Sequence, residues 1–304
     1  LQEANCKNCY KCIRVCPVKS ITVDNEQACI IEDKCILCGE CSIACHQNAK
    51  TVRNDLAKVK ALIKNGEKVI VSIAPSFVAA FDYNHVGQVV GALKTLGFHS
   101  VQETAIGALN VSNVYKKLMK DGTMDNIITT CCPTVNLLIE KYYPSLIPYM
   151  APVISPMIAH GRIIKYTYGW DSVKVVFIGP CISKKDEGED AQTEGAIDAV
   201  LTFNEILSWL DEKNIIIKDQ DRQLFDGIEA LTTRSYPIPM GVIKSMDFSD
   251  DSYGYHVTGV DGLDQCKEML ETLEGGTLKG YFIEMNSCLG GCIKGPEMSK
   301  SQSL

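Results

Sequence analysis

The chain has 304 residues, enough for about two domains that each bury a core. Its formal net charge of −7 provides no basic surface for nucleic acid, and no apolar run approaches the roughly 18 residues of a membrane span, so neither partner is expected. The unusual number is 15 cysteines, whose grouping at three- and four-residue steps argues against a disulfide scaffold and for metal-binding thiolates in a reducing, cytoplasmic setting. No charged-then-apolar leader opens the chain. It begins at Leu1 without a methionine and closes on the polar stretch Ser299 to Leu304, the expected mark of a longer protein that continues at its C-terminus.

The first 45 residues hold nine of the cysteines. Cys6, Cys9, Cys12 and Cys16, followed by Pro17, reproduce the C-x2-C-x2-C-x3-C-P run of bacterial ferredoxins, and Cys35, Cys38, Cys41 and Cys45 repeat it. In such runs three thiolates wrap one face of a 4Fe–4S cubane while the fourth crosses to the other cluster. On that rule Cys6, Cys9, Cys12 and Cys45 hold one cluster, and Cys35, Cys38, Cys41 and Cys16 hold the other. Residues 1–52 then form a small ferredoxin-like domain whose metals, instead of an apolar core, set the fold. Structural zinc is the competing reading of any single C-x2-C pair, and two complete four-cysteine runs argue against it. His46 stands where the second run would carry proline, which affects loop rigidity more than ligation. Cys29 falls outside both runs and is expected to be an ordinary buried thiol.

A helical linker over about 51–66 leads into apolar strands alternating with amphipathic helices. Strands are predicted at Lys68 to Ala74, Ser100 to Glu103, Asn126 to Thr130, Val173 to Ile178, Ala199 to Thr202, Tyr255 to Val260 and Tyr281 to Met285. Thr202-Phe203-Asn204-Glu205 fits a capping box opening a helix to Leu210, and Gly275-Gly276 closes a helix from Asp261. The pattern predicts an α/β domain of two lobes over 53–298, with 299–304 as a polar tail. The polar segment from Asp219 to Asp251, with its Pro237-Ile238-Pro239 turn, reads as surface loop with short hairpins.

Three cysteine motifs follow predicted strands. They are Thr129-Thr130-Cys131-Cys132-Pro133, Pro180-Cys181-Ile182-Ser183-Lys184-Lys185-Asp186-Glu187, and Glu284-Met285-Asn286-Ser287-Cys288-Leu289-Gly290-Gly291-Cys292. Loops at the carboxyl ends of parallel strands converge on one crevice, so the three can share a site. Helix amino termini there present free N–H groups to a thiolate-ligated, anionic cluster. Taken singly, Cys132, Cys181, Cys288 and Cys292 read as separate buried thiols. Together, with Gly290-Gly291 letting backbone approach sulfide, they read as ligands of a third cubane.

These motifs resemble the three signatures of the FeFe-hydrogenases, and the resemblance covers essentially the whole chain. It implies a two-lobed domain whose active site is a 4Fe–4S cubane joined through a cysteine sulfur to a diiron unit bearing carbon monoxide, cyanide and a dithiolate bridge. By motif, Cys132, Cys181, Cys288 and Cys292 look like the cubane ligands, with Cys292 as the bridge, and Cys131 looks like the proton-relay thiol. Lys184 resembles the lysine that holds a diiron cyanide, where an ammonium gains a charge-assisted hydrogen bond; its other reading is a surface pair with Glu187. Ala74-Pro75-Ser76 and Ser155-Pro156-Met157 match loops that line the pocket, as does Pro180.

The departures narrow what the resemblance implies. Met157 stands where glutamine is common, Asn286 replaces a pocket methionine, Gly179 stands where methionine usually precedes the proline, and a glycine triplet after Cys292 is reduced to Ile293-Lys294-Gly295-Pro296. Gly107 to Asn113 occupies the place of an acidic proton-transfer motif yet holds no carboxylate, so slow turnover is expected. The expected reaction is reversible oxidation of dihydrogen to protons and electrons. It implies a redox partner such as ferredoxin, maturation proteins that supply the diiron unit, and a possible downstream signalling domain of a sensory branch. The competing function is a non-catalytic iron–sulfur scaffold or electron-transfer protein without diiron, similar to nuclear prelamin A recognition factor-like proteins.

Overall fold

The computed structural model describes residues 5–193, 195–248 and 252–298. The tail expected at 299–304 lies outside the described residues. The N-terminal module comprises α1 (Lys11–Val15), the strands β1 (Ile21–Asp24) and β2 (Gln27–Ile30), and α2 (Glu40–Ile43). Its small apolar cluster is Ile21 and Ala28 against Cys12 and Cys16, too little to hold a fold without help. The hairpin was not legible as a strand pair. Asn25 and Glu26 turn it with both φ angles positive, at 44° and 59°, without the Asn-Gly pair that usually marks such turns. Cys29 is not the buried thiol expected: it lies half-exposed on β2, its thiol donating to the Gln27 carbonyl at 3.7 Å.

The linker helix is α3 (Leu56–Lys64). Beyond it come β3 (Val69–Ile73), α4 (Gly87–Thr95), β4 (Ser100–Glu103), α5 (Ala105–Asp121), β5 (Asn126–Ile128), α6 (Pro133–Tyr142) and α7 (Pro156–Tyr168). They are followed by β6 (Lys174–Gly179), α8 (Ser183–Glu187), β7 (Ala199–Thr202), α9 (Phe203–Glu212), α10 (Gly241–Met246), β8 (His256–Asp261), α11 (Leu263–Glu274) and β9 (Tyr281–Asn286). All seven predicted strands form, with ends within two residues.

Two parallel sheets make the two lobes, one in the order β4-β3-β6-β7 and one in the order β5-β9-β8. Every residue of β3 is buried, as a parallel strand covered on both faces requires. The capping box at α9 is present, with Thr202 Oγ1 accepting the Glu205 N–H at 3.2 Å and Glu205 Oε2 accepting the Thr202 N–H at 2.7 Å.

Residues 219–251 depart from expectation. Among the described residues this segment contains no strand. Its core-facing parts are a 3-10 turn, Leu231–Ser235, and α10. Thr233 is fully buried and donates to the Ala105 carbonyl at 2.6 Å, while Val242, Ile243 and Met246 pack with Tyr115 and Phe282. The segment's apolar residues come in ones and twos, such as Leu224-Phe225 and Val242-Ile243, among polar residues, so no period betrayed this packing.

The module is seated against both lobes. Lys141 of α6 donates to the Cys35 carbonyl at 2.8 Å and Tyr142 to the Lys34 carbonyl at 2.6 Å. Gly39, at φ +82°, lies so close that a Cβ there would come within 2.6 Å of Pro296 and 2.9 Å of Ile182. Behind the linker, buried Lys185 pairs with Asp55 at 3.0 Å and Glu205 at 2.9 Å. Among the described residues no helix is long and apolar enough to cross a membrane.

Candidate metal and active site

In the module, backbone amides point at sulfur: Ser20 N donates to Cys16 Sγ at 3.2 Å, Ala49 N to Cys45 Sγ at 3.3 Å and Leu37 N to Cys35 Sγ at 3.4 Å. Such N–H···S bonds are among the groups that tune cluster potentials. Cys45 lies within electrostatic reach of Cys6 and Cys12, across nearly the whole module in sequence. A cavity of about 550 Å³ is lined by Cys16, Cys35, Cys38 and Cys41, with Leu137 and Ile182 of the larger domain on its far wall. Burial pushes the Cys41 thiol up to about 11 although Lys50 opposes it, and Cys35, Cys16 and Cys12 add to the rise. A second cavity of about 770 Å³, lined by Asn48, Lys50, Arg53, Asn204 and Lys294 among others, holds no cysteine, so cavity size does not mark the chemistry here.

Because every strand in both sheets of the larger domain is parallel, their carboxyl ends gather the three remaining cysteine loops. Cys131 and Cys132 follow β5, and Cys132 is the N-cap of α6, its carbonyl accepting the Val135 N–H at 3.0 Å and the Asn136 N–H at 3.1 Å. Cys181 follows β6, Cys288 follows β9, and Cys292 begins a 3-10 turn. Burial drives the Cys288 thiol well above its ordinary range, and the thiols of Cys292, Cys181 and Cys132 drive it further. The Cys292 thiol is raised the same way, by burial first and then by Cys132 and Cys181. Ser183 ties two loops together, with its hydroxyl 3.1 Å from Cys181 Sγ and accepting from Thr134 Oγ1 at 2.9 Å. Among the described residues no three His, Cys, Asp or Glu side chains close to the spacing of a single-ion cage.

The family model for the C-terminal domain of the iron-only hydrogenase large subunit matches residues 67–248 and 242–296, which takes in all three loops. The chain belongs to the iron-only hydrogenase family. It is 25% identical to iron hydrogenase 1 of Clostridium pasteurianum over 91% of its length, spanning 64% of that protein. It is 22% identical to nuclear prelamin A recognition factor of Xenopus laevis over 88% of its length and 74% of that protein. In fold it matches the FeFe-hydrogenase HydA1 of Chlamydomonas reinhardtii with a TM-score of 0.65, at 18% identity, over 83% of this chain and 86% of that one.

Around the hydrogenase-family loops the other expected residues distribute as follows. Lys184 is buried, donates to the Cys131 carbonyl at 3.2 Å and pairs with Glu187 at 2.6 Å, so the pair with Glu187 exists but is not a surface one. Burial alone would lower the Lys184 pKa; Glu187, with Cys181 and Cys131, holds it above the usual lysine range. Pro75 and Ser76 open a buried 3-10 turn directly after β3, and Ser155 is the N-cap residue of α7. The hydroxyls of Ser76 and Ser155 are both buried with no hydrogen-bond partner among the described residues, a costly arrangement unless a bound group accepts from them. Met157 is buried in the apolar cluster with Phe77 and Ile178. Pro180 accepts the Glu297 N–H at 3.0 Å, and Asn286 donates through Nδ2 to Glu284 Oε1 at 3.0 Å.

Cys131 Sγ lies 3.3 Å from the Tyr115 hydroxyl, which in turn accepts the Thr130 N–H at 2.9 Å. Burial pushes the Cys131 thiol up to about 12; the Tyr115 hydroxyl and Lys184 oppose this, while Glu284 and Glu187 add to it. Glu284 was not singled out in the sequence. It is 1% exposed on β9, accepts the Ile243 N–H at 3.0 Å, and is pushed up to about 7 chiefly by burial. A lone carboxylate inside the apolar run Tyr281 to Met285 was the available signal.

Glu284 also predicts a pH dependence of stability. Its folded pKa of about 7 exceeds the ordinary 4.5, so the folded state binds this proton more tightly, and the resulting stabilisation is lost as pH rises from about 4.5 to 7. Relative to E284Q, the parent should lose denaturation midpoint across that window and run parallel to it outside. Parallel midpoints at every pH would show that Glu284 does not titrate there.

Proposed function

We propose that the chain is a low-turnover hydrogenase module that oxidises dihydrogen reversibly and serves a sensory role, working in a reducing, cytoplasmic compartment. The observation that carries this reading is the electrostatic convergence of Cys132, Cys181, Cys288 and Cys292 from three separate loops, with Lys184 reaching over Cys131 beside them. When bound, a 4Fe–4S cubane joined to a diiron unit with carbon monoxide, cyanide and a dithiolate bridge would supply the cleavage of dihydrogen. The residues fit such a group. The four thiols would hold the cubane, Cys292 also the diiron, and Lys184 places a fixed ammonium toward an anionic ligand. Ser76 and Ser155 bring unpartnered hydroxyls to donate, and Pro75, Met157, Pro180 and Asn286 close the pocket.

Protons would move at Cys131 Sγ, with the buried Glu284 carboxyl as the acidic group that the α5 stretch Gly107 to Asn113 does not supply. Electrons would pass through two module clusters, one held by Cys6, Cys9, Cys12 and Cys45, the other by Cys35, Cys38, Cys41 and Cys16. The cavity lined by Cys16, Cys35, Cys38 and Cys41 shares its wall with Ile182, next to Cys181, so the second cluster would be the inner of the two.

Similarity to nuclear prelamin A recognition factor favours a second reading, an iron–sulfur scaffold without diiron. Loading the reduced chain with a synthetic diiron cofactor separates them. Sharp carbonyl and cyanide infrared bands with slow hydrogen turnover are expected; absence of bands in protein that retains its iron would sink the hydrogenase reading.

A further inference from the structure

We infer that the hydroxyls of Ser183 and Ser287 are positioning groups that make the cubane held by Cys132, Cys181, Cys288 and Cys292 easier to reduce. The assignment rests on the third-cubane reading above and adds two residues to its surroundings. Each serine sits beside a ligand in sequence, Ser183 two residues after Cys181 and Ser287 immediately before Cys288. Ser183 Oγ lies 3.1 Å from Cys181 Sγ, and Ser287 Oγ lies 3.4 Å from Cys132 Sγ and 3.8 Å from Cys288 Sγ. Two hydroxyls thus reach three of the four sulfurs. Among the described residues no hydroxyl bonds the fourth, Cys292 Sγ, which is the sulfur proposed to join the diiron unit.

The direction of these bonds follows from the protons available, since a hydroxyl has one to give. Thr134 Oγ1 donates to Ser183 Oγ at 2.9 Å, which fills an acceptor position and leaves the Ser183 proton facing Cys181 Sγ. Water is kept from this chain: Ser183 is fully buried and Thr134 is 2% exposed. At Ser287 the same direction holds, because a ligating sulfur is a thiolate without a proton and the hydroxyl must be the donor. Reduction adds one electron to the cubane and raises the negative charge on its sulfurs, and a charge-assisted hydrogen bond strengthens with that charge. In a buried pocket little solvent screens the difference, and the Thr134 bond polarises the Ser183 hydroxyl further in the same sense. The reduced cubane is therefore stabilised over the oxidised one, hydrogen bonds to sulfur being among the determinants of cluster potential. A cubane that accepts electrons readily draws them from dihydrogen and yields them to protons with difficulty, so the two serines favour uptake over evolution.

The test uses the full chain with its iron–sulfur clusters in place, titrated with dithionite and mediators and followed by electron paramagnetic resonance. The signal of the third cubane is the one missing from C132S. At the parent's midpoint for that signal, S183A/S287A should show a ratio of reduced to oxidised cubane about tenfold lower, a shift of about 59 mV to more negative potential for a one-electron couple. S183A and S287A alone should each move the midpoint part of the way in the same direction. S287T, which keeps a hydroxyl, should stay near the parent. Because S183A leaves the buried Thr134 donor without its acceptor, T134V/S183A removes both groups together and should shift as S183A does. The module clusters are the internal reference and should keep their midpoints. If the serine variants hold the parent's midpoint, or move it only as far as the module clusters move, the two hydroxyls are structural and their tuning role is overturned while the cubane stands. If C132S loses no signal, the third-cubane reading fails and the tuning role with it.

Discussion

Replacing Cys132 by serine is expected to strip about four irons from each chain while leaving the remaining clusters in place. The substitution is chosen so that lost iron cannot be mistaken for lost fold. Cys132 is the N-cap of α6, a position that serine fills at least as well, and the helix it opens buries Val135, Leu138 and Ile139 in the β5-β9-β8 lobe. What serine cannot do is replace the thiolate that meets Cys181, Cys288 and Cys292. Iron analysis alongside a thermal melt decides the matter, with Cys29→Ser as the companion variant that should lose none. Full iron in the Cys132 variant would remove it from the ligand set, and with it the argument that the three loops grip one cluster.

Changing Cys131 to alanine should have the opposite signature, with iron content and infrared bands retained and hydrogen turnover reduced by about 10²- to 10⁴-fold. Alanine removes the sulfur that faces the Tyr115 hydroxyl, but that hydroxyl keeps its bond from the Thr130 N–H, so the local fold has a reason to survive. Lys184 bonds the Cys131 carbonyl, which the substitution leaves untouched. Turnover measured on cofactor-loaded protein, normalised to the intensity of the infrared bands, reads the proton step alone. Parent-like turnover would move the relay elsewhere, and loss of iron would make Cys131 structural.

Five of the seven strands of the larger domain, β3, β5, β6, β7 and β9, were legible as short apolar runs of the kind a parallel sheet buries, whereas β4 (Ser-Val-Gln-Glu) and β8 (His-Val-Thr-Gly-Val-Asp) are mixed. The site was legible for a different reason: thiols repeat at spacings that few other structures need. Two kinds of information did not reach the sequence reading. The β1-β2 hairpin turns on Asn25-Glu26, whose positive φ values are set by the module around it and not by turn propensity. The segment containing Thr233 and α10 is polar on paper, yet it supplies the Ile243 amide that Glu284 accepts and the Arg234 guanidinium that binds Glu103 at 2.8 Å. Glu284 itself was hidden in plain view, since its meaning depends on Cys131 being near, and proximity between residues 153 positions apart is a property of the fold alone.

The contact at Gly39 has one last consequence. Because only a hydrogen atom fits between that backbone and Pro296 and Ile182, the two halves meet there with no intervening side chain or solvent layer. Electronic overlap between redox centres decays exponentially with separation. With the inner cluster proposed above in the module, a joint this tight would set a short and constant tunnelling gap to the loop of Cys181, so that electron flow would not depend on hinge motion.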